Sequence, residues 1–354
     1  MKKRVLFICK DRDISYFGGA GSINSSGLYN SASAVCEMLN KYDFADAKIV
    51  KVVDNNCIDK EVYGFRPTHV MIEALWVVPE KFDVLKKLHP EVKWYVRLHS
   101  DTSFLANEGM AVDWMFRYSK REDVYVAFNS VFPIQDFRNM LGKEKMVYLP
   151  NYYETVDSFH PRKKLINNLF FNIGCFGAIR PFKNQLLQAT SAMRFADNHG
   201  KYLRFYINST RVENKGGPIL DNLRSLFRNS VDHQLIEIDW LEHDEFIEFL
   251  RKEIDIGMQV SLTETYNVVT ADLVNCCIPI VVSPEVYWVA RKFQADPNLG
   301  SDIIEKLNSA YRAVHDGSHK MNNSLLEEDS SISAGIWKDF LKVQRKRNWW
   351  DRWR

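Results

Sequence analysis

The amino-acid sequence predicts an α/β protein of two doubly wound domains in series with a cleft between them. Three observations predict it. Short apolar runs alternate with stretches of helical periodicity, the pattern of parallel sheets covered on both faces. The alternation breaks once, over the polar and aperiodic ETVDSFHPRKKLINN of residues 154–168, and then restarts. A length of 354 residues exceeds one small core and fits about two domains. The expected boundaries are a first domain over 1–153, a linker over 154–168, a second domain over 169–330 and a terminal helix with its tail over 331–354.

The elements follow in order. RVLFIC (4–9) reads as a first buried strand, followed by a glycine and serine loop and a helix. In that helix Leu28, Ala32, Val35, Cys36 and Leu39 fall on one face at a spacing of three to four residues. Strands are expected at AKIVKVV (47–53), HVMIEAL (69–75), KWYVRL (93–98), VYVAF (124–128) and MVYLP (146–150), with helical stretches such as PEKFDVLKKLH (79–89) between them. The second half repeats the pattern: FFNIGCFG (170–177), LRFYIN (203–208), LIEIDWL (235–241), IDIGMQVS (254–261) and IPIVVS (278–283) alternate with helices, one of them across 268–277.

Composition excludes several classes. With 46% apolar and 26% charged residues the chain is neither disordered nor a repeat array. No segment reaches the roughly 18 uninterrupted apolar residues of a spanning helix. MKKRVLFICKDRD has a basic start, but its apolar run is too short for a secretory signal, and the expected location is the cytoplasm, or the host cytoplasm if the chain is viral. Six scattered cysteines without a C-x-x-C read as free thiols. The net charge of +2 conceals an uneven tail, KVQRKRNWWDRWR (342–354), with six basic residues and three tryptophans against one aspartate.

In doubly wound sheets ligands bind beyond the carboxyl ends of strands. Glu264 follows such a strand in SLTETYNVV (261–269), and a helix is expected from about Val268. The amides of Thr265, Tyr266, Asn267 and Val268 are then donors at a helix N-terminus, which favours an anion such as a phosphate. Glu264 and Asp272 flank this point with carboxylates suited to vicinal hydroxyls. An anion flanked by hydroxyls describes a nucleotide sugar. The same residues also fit an ordinary capping acid at Glu264 and a solvated helix residue at Asp272.

SLTETYNVVTAD followed by NCCIPIVVS resembles the signature of retaining nucleotide-sugar glycosyltransferases of the GT-B fold, family 4 type, with two acids eight positions apart, here Glu264 and Asp272. The resemblance departs in two places: the second acid is aspartate rather than glutamate, and Thr265 and Asn267 stand where glycines are common. YLPNYYETVDSFHP (148–161) resembles the family's hinge segment, and GCFGAIRPFKNQ (174–185) its diphosphate-gripping loop, with Lys183 in place and Arg180 two residues beyond the arginine position that Ala178 occupies. The resemblance implies two Rossmann-like domains facing across a cleft, with the last helix returning to the first. It also implies a nucleotide-diphosphate sugar as co-substrate, no required cofactor and no metal. Glu264 would orient sugar hydroxyls, Lys183 and Arg180 would stabilise the leaving diphosphate, Thr265 to Val268 would add backbone donors and Asp272 would hold the ribose.

In the first domain Gly18, Gly19 and Gly21 are not G-x-G-x-x-G, because Asn24 takes the last position, so a dinucleotide-dependent oxidoreductase is disfavoured. The resemblance makes Gly18 and Gly19 part of a loop over the donor phosphates; a plain strand-to-helix turn is the alternative. RLHSD (97–101) places His99 where the family has a histidine contacting the transferred sugar, with Ser100 and Asp101 on the acceptor side. Asp11-Arg12-Asp13 is a chance D-x-D, since only one strand precedes it. The acceptor has two readings. The basic, tryptophan-rich tail suits DNA, and HSDTSFLANEGMAVDW loosely resembles virus-encoded glycosyltransferases, some of which modify hydroxymethylated bases, so a hydroxymethylated pyrimidine in phage DNA is the leading expectation. The same tail also suits a peripheral membrane contact, with a lipid-linked or cell-surface glycan as acceptor. A third reading is a protein that binds nucleotide or glycan without turnover.

Overall fold

The computed structural model describes residues 2–11, 27–155, 169–213 and 215–342. Gly18, Gly19 and Gly21, Asp13, most of the 154–168 connection and nearly all of the basic tail lie outside these residues. Among the described residues the chain forms two compact units, one of 2–11, 27–154 and 329–342, the other of 155, 169–213 and 215–328.

The first unit is a parallel sheet of β1 (Arg4–Lys10), β2 (Asp46–Val52), β3 (His69–Glu73), β4 (Lys93–Leu98), β5 (Val124–Phe128) and β6 (Met146–Tyr148), in the order β2-β1-β3-β4-β5-β6. Its helices are α1 (Gly27–Lys41), α2 (Ile58–Phe65), α3 (Lys81–Leu88), α4 (Thr102–Leu105), α5 (Ala111–Ser119) and α6 (Phe132–Leu141). Alternate side chains of a strand serve opposite faces. Leu6 and Ile8 join Val70, Ile72 and Val96 in one core, whereas Val5, Phe7 and Cys9 join Met71, Tyr95 and Trp337 in the other. Burial on both faces is why these strands read as continuous apolar runs. α1 buries Ala32, Val35, Cys36 and Leu39, as their spacing predicts.

The second unit repeats the plan with β7 (Phe170–Gly174), β8 (Tyr202–Asn208), β9 (His233–Ile238), β10 (Ile256–Gln259) and β11 (Ile280–Val282), in the order β11-β10-β7-β8-β9. α7 (Gln185–Asn198), α8 (Gly217–Arg228), α9 (His243–Glu253), α10 (Val268–Asn275) and α11 (Gly300–Asp316) accompany them. The chain lays β8 and β9 to one side of β7, then crosses over to lay β10 and β11 on the other. This reversal of strand order makes the gap beyond the carboxyl ends of β7 and β10 the natural ligand position of the sheet.

The C-terminal region differs from the sequence reading. α12 covers Met321–Lys342, ten residues earlier than its expected start at 331, and α11 had no expected counterpart. The first turn of α12 is rich in asparagine, a poor helix former. Its asparagines are engaged instead in tertiary hydrogen bonds: Ala290 N donates to Asn322 Oδ1 at 3.1 Å, and Asn323 Nδ2 donates to Val274 O at 2.8 Å. Further along, Trp337 is fully buried in the first unit and its Nε1 donates to Pro150 O at 2.9 Å. The terminal helix thus returns to the first unit.

Cys9, Cys36, Cys175 and Cys276 are buried free thiols, while Cys57 is exposed. Among the described residues no helix is long and apolar enough to cross a membrane, and no group of three His, Cys, Asp or Glu side chains could hold a metal ion.

Candidate functional site

At the β7/β10 reversal two loops are joined by hydrogen bonds before any ligand is considered. After β7, Gly177 takes φ +106, in the left-handed region that favours glycine, and donates its N–H to Asn208 Oδ1 at 2.9 Å. Pro181–Lys183 form a single 3-10 turn that leads into α7. Leu262 N, beyond β10, donates to Phe182 O at 2.8 Å, and Val260 N donates to Gln188 Oε1 at 2.9 Å. Gln188 Nε2 in turn donates to Lys183 O at 2.7 Å, and Asn184 Nδ2 to Val260 O at 3.2 Å. These bonds hold the loop carrying Lys183 against the loop carrying Glu264. The two side chains form a salt bridge, with 11% and 9% of their side chains exposed.

α10 begins where the sequence places it. Asn267 is its N-cap, at φ 60, and its Oδ1 accepts from Thr270 N at 3.0 Å. The departure from glycine at this position therefore has a physical reason. The backbone needs a left-handed residue, asparagine tolerates that conformation, and its side chain adds a cap that glycine lacks. Asn267 Nδ2 also donates to Gln259 Oε1 at 3.1 Å, tying the cap to the end of β10. With Thr270 N satisfied, the N–H groups of Val268 and Val269 remain as the helix donors that have no intrahelical acceptor. The flanking residues have other work. Thr265 is buried, and Tyr266 packs its ring on Trp288 at 5.8 Å while its carbonyl accepts from Trp288 Nε1 at 3.0 Å.

Arg180 and Asp272 belong to neighbouring clusters rather than to the Lys183–Glu264 pair. Arg180 Nη1 lies 3.9 Å from Glu213 Oε2, and Arg211 Nε meets Glu213 Oε1 at 2.6 Å. The buried Asp272 receives His243 Nε2 at 2.9 Å. The hydrogen bond to Asp272 holds the His243 imidazole above its ordinary pKa, against the opposing effect of burial.

In the first unit His99 follows β4 directly and meets Glu73, the last residue of β3, through Nε2 and Oε2 at 2.5 Å. Arg97 Nη1 lies 3.1 Å from the same Glu73 oxygen. Its other donors reach Leu149 O at 3.0 Å, Pro150 O at 3.0 Å and Asn151 Oδ1 at 2.6 Å. Burial raises the Glu73 carboxyl, but Arg97 and His99 outweigh it and hold the group below its ordinary pKa. Burial and then Arg97 push the His99 imidazole down, against the pull of Glu73. Asp101 caps α4, accepting from Thr102 N at 2.6 Å, and burial pushes its carboxyl pKa up; Ser100 is half-buried beside it.

Sequence reasoning missed Glu73, Arg97 and His243. A signal was present for each: HVMIE and KWYVRL carry a lone charge near the carboxyl end of an apolar strand, and HDEFIEFLRKE opens a helix just after one. What the sequence could not supply was their partners.

No family model and no curated protein matches the chain. Solved structures match it along nearly its whole length. An alpha,alpha-trehalose-phosphate synthase (UDP-forming) from Burkholderia vietnamiensis is 12% identical over 96% of each chain, with a TM-score of 0.67. A sucrose-phosphate synthase from Thermosynechococcus elongatus is 12% identical over 96% of this chain and 97% of that one, with a TM-score of 0.65. A glycosyltransferase from Rickettsia africae is 13% identical over 97% of this chain and 100% of that one, with a TM-score of 0.62. At such identities the likeness carries the fold, and the chain has the architecture of the GT-B class, two Rossmann-like domains in series.

Proposed function

We infer that this protein is a glycosyltransferase that moves a sugar from a nucleotide-diphosphate sugar to a hydroxyl acceptor with retention of anomeric configuration. The observation that carries the reading is the Lys183–Glu264 salt bridge at the β7/β10 reversal, in the same unit as the α10 N-terminus. A cation and two helix amides suit a diphosphate, and a carboxylate suits sugar hydroxyls. The solved structures of similar fold, two of them sugar-phosphate synthases by their printed names, support the same reading.

In this reading Lys183, with Arg180 at the rim, neutralises charge as the bond between C1 and the diphosphate oxygen breaks. Glu264 orients the hydroxyls of the transferred ring, and Asp272, held by His243, receives the ribose. The acceptor oxygen takes C1, and its proton passes to the departing diphosphate. No cofactor is needed beyond the donor. His99 meets a hydroxyl of the transferred sugar. The acceptor we favour is a hydroxymethylated pyrimidine in DNA, on the composition of the basic, tryptophan-rich tail.

Incubation with a panel of sugar nucleotides should release nucleoside diphosphate. Mass spectrometry of unmodified and hydroxymethylated DNA from the same incubations should show a pentose or hexose increment on the modified base alone. Diphosphate release without a DNA product moves the acceptor to a glycan or lipid. Absence of release with every donor leaves a binding protein and ends the enzymatic reading.

A further inference from the structure

The first unit holds a charged cluster that the reading above does not use. Glu73 and Arg97 are direct neighbours in the β3/β4 register, and both side chains are fully buried. The same row across the sheet continues to Cys9 on β1 and Ala127 on β5, both small, which leaves room for the two long side chains. Replacing a buried ion pair by apolar side chains of similar volume is often neutral or stabilising, so such a pair is a weak stability device. Among the described residues Glu73 Oε1 has no hydrogen-bond partner, a further cost for a purely structural carboxylate. The turn just after Glu73 is also held in an uncommon conformation: Ala74 has φ 69, and its N–H donates to Arg97 O at 2.8 Å.

The cluster converges on one imidazole nitrogen. His99 stands two residues beyond Arg97, so both project to the same face. Nε2 has two polar neighbours, Glu73 Oε2 at 2.5 Å and Arg97 Nη1 at 3.3 Å. Arg97 is a donor only, and an ionised carboxylate is an acceptor only. The shorter contact decides between them: Nε2 carries the proton and gives it to Glu73. In the neutral ring Nδ1 is then the acceptor. Arg97 in turn fixes Glu73, and through Leu149, Pro150 and Asn151 it anchors both to the segment after β6, where Trp337 of α12 shares the Pro150 carbonyl.

We propose that Glu73 is a positioning residue that sets the Nε2–H tautomer and orientation of His99, with Arg97 as its anchor, so that His99 offers Nδ1 as a hydrogen-bond acceptor to a sugar hydroxyl. The role assigned to that acceptor rests on the glycosyltransferase reading; the tautomer does not.

The test is long-range proton–nitrogen NMR of the full chain with nitrogen-15 histidine, near neutral pH, the His99 signals being identified by their loss in His99→Gln. The expected wild-type spectrum has a protonated Nε2 and an unprotonated Nδ1; a ring protonated at Nδ1 alone, or at both nitrogens, overturns the proposal. Glu73→Gln should abolish the exclusive Nε2–H form and lower kcat by about 10- to 100-fold with donor KM little changed, because it leaves donor-binding groups intact. Glu73→Asp, which keeps the charge, should recover part of the loss. If Glu73→Gln keeps both the tautomer and kcat and merely melts earlier, Glu73 is structural and the proposal fails. If Glu73→Gln does not fold, the wild-type spectrum decides. Wild-type protein with the expected tautomer but no turnover of any sugar nucleotide removes the glycosyltransferase reading and leaves the assignment of Glu73 standing.

Discussion

Lys183 and Glu264 form a nearly buried salt bridge across two loops, although 81 positions separate them in the chain. Neither residue makes the meeting by itself. Gln188, Asn184 and the Leu262 amide bring the loops together, so the pair can be altered while the scaffold remains. Glu264→Ala should abolish transfer while leaving the fold intact, and Lys183→Ala should lower kcat on the order of 10²–10³-fold, the scale of losing one charge-stabilising group in a water-poor site. Nucleoside diphosphate release by folded variants measures both, and undiminished turnover in Glu264→Ala would contradict the site.

Asn267 combines a left-handed backbone with a cap, and the two can be separated. Asn267→Gly loses the side-chain bonds to Thr270 N and Gln259, yet keeps an unstrained φ of 60. Asn267→Ala loses the same bonds and adds about 1 kcal/mol or more of left-handed strain. Denaturant midpoints should therefore rank wild type above glycine and glycine above alanine. An alanine variant as stable as the glycine variant would show that the backbone does not hold this conformation.

The hydrogen bond from His243 to Asp272 makes part of the second unit's stability depend on pH. The folded pKa of His243 is raised above the ordinary 6.5. Its contribution is therefore fully present below pH 6.5 and is lost as pH rises through the higher folded value. Asp272→Asn should remove that dependence, so the stability gap between wild type and variant narrows as pH rises across this window. A gap that stays constant with pH would mean that the pair does not titrate.

His69 carries the opposite sign. Burial, reinforced by Lys3 and Lys93, lowers its pKa from 6.5 to about 4, and its ring stacks on Tyr95 at 5.9 Å. The unfolded chain takes up a proton below 6.5 that the folded chain refuses until about 4, so stability present above 6.5 falls as pH drops through this range. The gap corresponds to about 3 kcal/mol. His69→Phe, which keeps a ring against Tyr95, should flatten the acid limb of the thermal unfolding midpoint; an unchanged limb would place the acid sensitivity elsewhere.

Periodicity and local chemistry carried much of this architecture. Strands such as RVLFIC and VYVAF, buried on both faces, announce parallel sheets, and the i, i+4, i+7 spacing of α1 predicts the face it buries. The start of α10 near Val268 was equally legible, because a strand, a polar turn and a helix leave little choice of where the amides emerge. Partnership was not legible. That His99 meets Glu73, that Asp272 meets His243 and that Arg180 lies toward Glu213 rather than Glu264 are consequences of strand order and register. Strand order joins residues far apart in the chain, and one-dimensional spacing contains no information about it. The early start of α12 was hidden for a related reason: its asparagines are poor helix formers locally and are recruited by carbonyl and amide groups that only the folded second unit brings to them.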